Sequence, residues 1–92
     1  MAVTIRIPVL LRPLVDGKSE VSVESGSVSD IFARLIAEYP GVKDRLYDEN
    51  GNLRRFINIY VNGEDIRFLS GEATQLKDGD ELAIVPAIAG GI

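Results

Sequence analysis

The chain has 92 residues, of which 46% are apolar and 26% are charged, and its formal net charge is −4. This length allows one domain with one modest hydrophobic core. Because the sequence contains no cysteine and no histidine, it excludes thiol nucleophiles, imidazole bases, disulfides and the usual zinc ligands. The negative charge argues against a nucleic-acid partner, because nucleic acids favour dense positive charge.

The N-terminal region has neither the pattern of a signal peptide nor that of a membrane span. Charged residues and prolines interrupt its apolar runs at Arg6, Pro8, Arg12 and Pro13. Each run is therefore shorter than the apolar region of a signal peptide. No run in the chain approaches the roughly 20 apolar residues that span a bilayer. We therefore expect a cytoplasmic protein with no membrane partner.

Alternating apolar and polar residues predict two strands at the start of the chain. Val3, Ile5 and Ile7 alternate with polar residues, and the same alternation returns over residues 20–24. Asp16-Gly17 lies between the two runs, and this dipeptide is typical of a hairpin turn. The pattern predicts an antiparallel pair of strands.

An amphipathic helix is predicted next. Its apolar residues recur at helical spacing and form one stripe, which consists of Val28, Ile31, Phe32, Leu35, Ile36 and Tyr39. Ser27 is the predicted N-cap, and Asp30 three residues later completes a capping box. Pro40-Gly41 ends the helix, and residues 42–47 are expected to add a further helical turn.

The second half of the chain predicts three extended segments. The strongest pattern covers residues 56–61, and Asn62-Gly63 predicts a tight turn after it. Asp65 to Phe68 is predicted as a short strand or an extended segment. A turn over residues 76–80 leads to the last strand, Glu81–Pro86. The residues that are expected to face the core are Ile57, Ile59, Val61, Leu82 and Ile84.

The predicted order is strand, strand, helix, strand, short strand, strand. One main helix must then cover one face of a mixed four- to five-stranded sheet, which is an α+β arrangement. The β-grasp, or ubiquitin-like, architecture has this order, although other small α+β sheets share it. We assign residues 1–86 to a β-grasp domain and residues 87–92 to a flexible C-terminal Gly-Gly tail.

Two polar clusters resemble sites for metal binding or acid–base chemistry. They are Asp48, Asn50 and Asn52, and Asp78, Asp80 and Glu81. In the first cluster, Leu53 and Ile59 stand where a calcium loop requires glycine and a bidentate glutamate. The second surrounds Gly79 at the start of a strand, where Asp and Gly have conformational reasons to occur. Turns are the favoured interpretation of both, so we assign no catalytic residue and no metal site.

Three apolar side chains form a candidate binding patch. Tyr60 and Phe68 are predicted to lie on the sheet face away from the helix, with Val85 on a neighbouring strand. A contiguous apolar patch on an open sheet face indicates a binding site, whereas scattered apolar surface residues are normal. Both interpretations stay open. The adjacent pair Arg54-Arg55 is interpreted as a solvated loop rather than a phosphate contact.

The chain resembles the ubiquitin-like sulfur-carrier family of ThiS/MoaD type over nearly its whole length. The resemblance rests on IPVLLRP at residues 7–13, RFINIYVNGEDIRF at residues 55–68, and LKDGDELAIVPAIAGG at residues 76–91. Within the family, the chain is most similar to carriers of the CysO type, which serve cysteine synthesis. The two glycines Gly90 and Gly91 suit a narrow tail, because glycine has no Cβ.

The resemblance implies that the reactive group is the carboxyl of Gly91, presented on a tail with Ala89 and Gly90. A partner similar to ubiquitin-activating enzymes joins it to AMP from ATP, and a sulfur donor converts it to a thiocarboxylate. In the cysteine pathway, a PLP-dependent cysteine synthase accepts the sulfur, and a zinc metalloprotease of JAMM type releases the product. The carrier itself is then not an enzyme and binds no cofactor. The expected partner-binding side chains are Tyr60, Phe68, Val85 and Ile88.

Ile92 departs from the family pattern, because the active form ends at the second glycine. A bulky β-branched residue there blocks the Gly91 carboxyl, so we expect the chain to be a precursor from which a metalloprotease removes Ile92. The alternative is that Ile92 is a harmless variation or an added residue.

Other functions remain open beside the cysteine-pathway carrier. One is the small subunit of molybdopterin synthase, which donates sulfur to the molybdenum cofactor. Another is a ubiquitin-like protein modifier that joins Gly91 to lysines of other proteins. A third is a binding module with an inert tail, while a stand-alone enzyme is least favoured.

Overall fold

The apolar alternation at the start of the chain forms two antiparallel strands in the computed structural model, which describes residues 2–86. They are β1 (Ala2–Arg6) and β2 (Glu20–Glu24), with Ile5 opposite Val21. Their connection is longer than the predicted hairpin turn, because a 3-10 helix, Val9–Val15, precedes Asp16-Gly17. Asp16 and Gly17 have φ values of 58° and 76°, in the left-handed region that Asp-Gly adopts at low cost.

The predicted helix and its capping box are confirmed. Helix α1 (Val28–Glu38) follows a two-residue strand, β3 (Gly26–Ser27). The Ser27 hydroxyl accepts a hydrogen bond from the Asp30 backbone N–H at 3.0 Å, and the Asp30 carboxylate accepts one from the Ser27 N–H at 3.2 Å. The helix ends before Pro40, and the further helical turn is α2 (Lys43–Leu46).

The second half of the chain completes the sheet. Strand β4 (Ile57–Val61) turns at Asn62-Gly63 into β5 (Glu64–Asp65), and the last strand, β7 (Glu81–Pro86), lies between β1 and β4. The five-stranded order is β2-β1-β7-β4-β5, in which β1 and β7 are parallel and the other pairs are antiparallel. Strand β6 (Gln75–Leu76) pairs separately with β3.

The prediction of an extended segment over Asp65–Phe68 is wrong beyond Asp65. Strand β5 ends at Asp65, and Ile66–Phe68 forms a 3-10 helix. The Asp65 carboxylate accepts a hydrogen bond from the Arg67 backbone N–H at 2.8 Å. This local bond turns the chain because it competes with strand pairing. The turn also places the Ile66 side chain in the core, where it is 5% exposed.

The core lies between α1 and one face of the sheet. Four side chains of α1 are buried there: Val28, Ile31, Phe32 and Leu35. The inward positions predicted on β4 and β7 are confirmed, with four buried side chains (Ile59, Val61, Leu82 and Ile84) and Ile57 packed against the cluster. The rings of Phe32 and Tyr47 meet edge to face, with centroids 6.3 Å apart, a favourable aromatic geometry.

The two polar clusters are turns, as predicted. The Asp48 carboxylate accepts hydrogen bonds from the backbone N–H groups of Asn50 and Asn52, at 2.9 and 3.0 Å. Asp80 accepts one from the Lys77 N–H at 2.9 Å. Residues 2–86 contain no cluster of three acidic side chains that could hold a metal ion. No helix in this part of the chain is long and apolar enough to cross a membrane.

Candidate partner-binding surfaces

Tyr60 and Val85 share the sheet face that α1 does not cover, which we call the open face. In the antiparallel pair of β4 and β7, Tyr60 is opposite Ala83 and Asn58 is opposite Val85. Tyr60 and Val85 are therefore diagonal neighbours, within reach of an aromatic side chain. Tyr60 is half-buried, and Val85 is 40% exposed. The structure brings these two predicted residues together.

Charged groups surround this apolar pair. Arg6 lies on β1 opposite Ala83 of β7. Its guanidinium forms an ion pair with the Glu81 carboxylate at 3.3 Å. On the other side, the Arg67 guanidinium donates to Asn58 Oδ1 at 3.1 Å and to Asp65 Oδ2 at 2.6 Å. The hydrogen bonds from Arg67 hold the pKa of the Asp65 carboxyl below its usual range. An apolar centre with a polar rim is typical of a protein-binding surface.

Phe68 is more exposed than Tyr60, but it does not lie on a strand. It occupies the 3-10 helix after β5 and is 80% exposed, and the next residue, Leu69, is 38% exposed. A large exposed aromatic side chain is a frequent anchor in interfaces. The role of Phe68 in partner binding stays a prediction, at the edge of the sheet rather than on its open face.

A second surface was missed by the sequence patterns. A groove of about 900 Å³ lies between the 3-10 helix Val9–Val15, α2 and the adjacent ends of β4 and β7. We call it the basal groove and define it by Leu10, Leu14, Arg45, Arg54, Phe56 and Pro86. Leu10 is 74% exposed and Phe56 is 58% exposed. The available signal was two adjacent apolar residues, Val9 and Leu10, that fit neither the strand nor the helix pattern.

Pro86 marks the point from which the predicted reactive segment continues. It is opposite Ile57 at the end of the pair formed by β4 and β7. The predicted sites at Gly91, Gly90 and Ala89, the contact residue Ile88 and the processed residue Ile92 all lie outside the described residues. They stay predictions.

Residues 5–91 match the ThiS family. The chain belongs to the ThiS family. Sulfur carrier protein CysO of Mycobacterium tuberculosis is 46% identical, over 99% of this chain and all of that protein. A putative sulfur carrier protein of Archaeoglobus fulgidus is 34% identical, over 99% of this chain and all of that protein. Small archaeal modifier protein 3 of Haloferax volcanii is 38% identical over 74% of this chain and 73% of that protein.

Two solved structures confirm the fold. A chain in the Amycolatopsis orientalis BexX/CysO complex superposes with a TM-score of 0.88 at 44% identity, over 97% of this chain and 99% of that chain. Mycobacterium tuberculosis CysO gives a TM-score of 0.86 at 44% identity, over 94% of this chain and 99% of that chain. The predicted β-grasp architecture and the resemblance to CysO-type members of the family are both confirmed.

Proposed function

We propose that this chain is a sulfur carrier for cysteine biosynthesis, and that its reactive group is the carboxyl of Gly91. One observation carries the proposal, namely the 46% identity to sulfur carrier protein CysO across the full length of both chains. The family match also ends at Gly91, one residue before Ile92. In this function the chain is a co-substrate, and its partner enzymes supply the catalytic groups.

The chemistry begins with activation of the Gly91 carboxyl by an enzyme that uses ATP. A carboxylate oxygen attacks the α-phosphorus of ATP, a new P–O bond forms, and pyrophosphate leaves. Hydrosulfide from a donor then attacks the carbonyl carbon of the acyl-adenylate. The C–S bond forms as the C–O bond to AMP breaks, and one proton passes to solvent. The product is a thiocarboxylate, whose sulfur is a better nucleophile than the carboxylate oxygen.

Ile92 must leave before activation, because an amide-linked Gly91 has no carboxylate to attack ATP. We assign its removal to a zinc metalloprotease of JAMM type. Water adds to the Gly91 carbonyl, the C–N bond breaks, and free isoleucine is released. The exposed α-carboxyl, with a pKa of about 3.3–3.7, is ionised at neutral pH. Glycine at the reacting position leaves no Cβ beside the carbonyl carbon.

Recognition is assigned to the open face and its edge. Tyr60 and Val85 supply the apolar centre, Phe68 supplies an exposed aromatic anchor, and Ile88 adds an apolar contact at the start of the tail. The sulfur acceptor is a PLP-dependent cysteine synthase. The acceptor separates this function from that of a molybdopterin-synthase subunit, which delivers sulfur to a pterin instead.

Intact mass spectrometry of the protein from its native cells tests the proposal. We expect the loss of one isoleucine residue and, in part of the population, the exchange of one oxygen for sulfur. Recombinant chain ending at Gly91 should acquire sulfur when it is mixed with the activating enzyme, ATP and sulfide. The matched control is the chain that retains Ile92, which should stay unchanged. A processed chain that never acquires sulfur would contradict the proposal.

A second candidate function is protein modification through an isopeptide bond to Gly91. The observation that favours it is the 38% identity to small archaeal modifier protein 3 over about three quarters of both chains. Conjugates would carry the mass of the processed chain on a lysine of another protein. Their presence, with no thiocarboxylate under sulfur limitation, would select this function over the carrier.

A further inference from the structure

We propose that the basal groove binds an acidic, apolar segment of the activating enzyme. The carrier is then held at the base of its tail as well as on the open face. The inference rests on the proposed function, because it names the enzyme that acts on Gly91 as the occupant. Three independent features of the groove carry it: its exposed apolar walls, its cationic rim and its position at Pro86.

The apolar side chains that form the walls of the groove are largely exposed to solvent and are not part of the buried core. The Leu10 and Phe56 side chains are 74% and 58% exposed, and Leu14 is half-buried between the groove and the core. Leu10 and Phe56 come from distant parts of the sequence and meet only through the fold. When an apolar side chain of a partner fills such a concavity, the exposed apolar surface is removed from water, which stabilises the complex.

The rim of the groove is cationic on a chain whose net charge is −4. Arg45 and Arg54 line it together with one carboxylate, Asp44, so the lining carries one net positive charge. Neither arginine forms an ion pair with another residue of the described range. The Arg54 Nε–H donates to the Asp44 backbone carbonyl at 2.7 Å. This bond holds the guanidinium in place and leaves its terminal nitrogens available. A guanidinium fixed in this way suits a carboxylate of the partner.

The position of the groove favours an enzyme that acts on Gly91 as the occupant, and of these enzymes we name the activating enzyme. Pro86 forms part of the groove wall, and Gly91 follows it by five residues. Five extended residues reach about 17 Å at most. An enzyme whose active site surrounds Gly91 must therefore come close to the groove. A second copy of the chain docked there would lie in the path of that enzyme.

Charge reversal tests the proposal against a matched control. The groove variant carries Arg45→Glu and Arg54→Glu, and the control carries Lys43→Glu and Lys77→Glu. Both variants change the net charge equally, and Lys43 lies on the same short helix as Arg45 but outside the groove lining. Both are prepared on the chain that ends at Gly91, which retains every described element. The rate of thiocarboxylate formation is measured against carrier concentration.

We expect the groove variant to lose about tenfold or more in kcat/KM, chiefly through KM. The control should stay within about twofold of the parent. Circular dichroism during heating checks that both variants fold. A third variant, Leu10→Ser, should also raise KM, since it removes an apolar wall without changing the charge.

Equal losses in the groove variant and the control would overturn the groove proposal alone. A faster reaction in the groove variant would assign the groove to residues 87–91 of the chain itself. Concentration-dependent dimers that the reversal abolishes would assign it to a second copy, and either result overturns the proposal. A parent chain that acquires no sulfur overturns both this inference and the proposed function.

Discussion

The two faces of the five-stranded sheet are built from the same strands but differ in almost every physical property. On the covered face, Ile5, Leu82 and Ile84 are at most 3% exposed beneath α1. On the open face, the alternate positions of the same strands include Arg6, Glu81 and Val85. The buried side chains of the covered face therefore supply most of the free energy of unfolding, and the open face is available for binding a partner.

The charged pairs of the open face support this division. The Arg6–Glu81 pair has side chains that are 60% and 41% exposed, and exposed ion pairs contribute about 0–1 kcal/mol. The covered face gains about 1.5–3 kcal/mol for each large apolar side chain that it buries. Substitutions on the open face can therefore alter binding while the free energy of unfolding changes little.

The largest expected effect is on the covered face. Phe32→Ala should lower the free energy of unfolding by about 3–5 kcal/mol, because it leaves a cavity under the sheet and removes the contact with Tyr47. Urea denaturation followed by circular dichroism measures the change. Glu38→Ala, at the exposed end of the same helix, is the control and should cost less than about 0.5 kcal/mol. A small effect of Phe32→Ala would contradict the division between the faces.

A smaller effect is expected on the open face. Tyr60→Ala should lower kcat/KM for thiocarboxylate formation by about 5- to 30-fold, because aromatic side chains are common interface anchors. Its free energy of unfolding should fall by only about 1 kcal/mol, since Tyr60 is half-buried. Thr4→Ala, on β1 of the same face, is the matched control for activity. If Tyr60→Ala proves as destabilising as Phe32→Ala, the open face has a structural role and the comparison fails.

The smallest effect is expected at the edge of the sheet, where Asp65 pairs with Arg67. The pKa of Asp65 is lowered from 3.8 by the hydrogen bonds of Arg67. The ionised carboxylate therefore stabilises the fold above the unfolded-state pKa, and this contribution is lost as the pH falls below about 4. Asp65→Asn should lower the thermal midpoint at pH 7, and its difference from the parent chain should shrink toward pH 3. If the difference in thermal midpoint between Asp65→Asn and the parent chain does not change with pH, the negative charge of Asp65 is excluded as its cause.

Local sequence signals predicted the elements whose stabilising contacts lie close together in the chain. The capping box of Ser27 and Asp30 joins residues three positions apart. The turn at Asn62-Gly63 has φ values of 51° and 87°, which Asn and Gly tolerate better than other residues. The alternation over residues 57–61 also identified which side of β4 faces the core, because strand side chains alternate with a period of two.

Features without a distinctive local pattern were not predicted, whether their contacts are local or distant. The 3-10 helix Val9–Val15 has no distinctive repeat, and Pro8 and Pro13 suggested only interruption. The basal groove joins Leu10, Phe56 and Pro86, and no local pattern connects three such separated residues. Asp65 was assigned to an extended segment because the hydrogen bond from the Arg67 N–H has no signature in a strand pattern.

The parallel pairing of β1 with β7 also couples folding to the presence of the strand that precedes the tail. Residues 4–6 pair with residues 81–83, so the centre of the sheet closes only when the two most distant strands meet. Such non-local pairing slows folding. During synthesis, a nascent chain that stops before β7 has no strand to join β1 to β4, so its core remains open to proteases. Each molecule that completes its fold therefore includes β7, to which the predicted sulfur-bearing segment is attached.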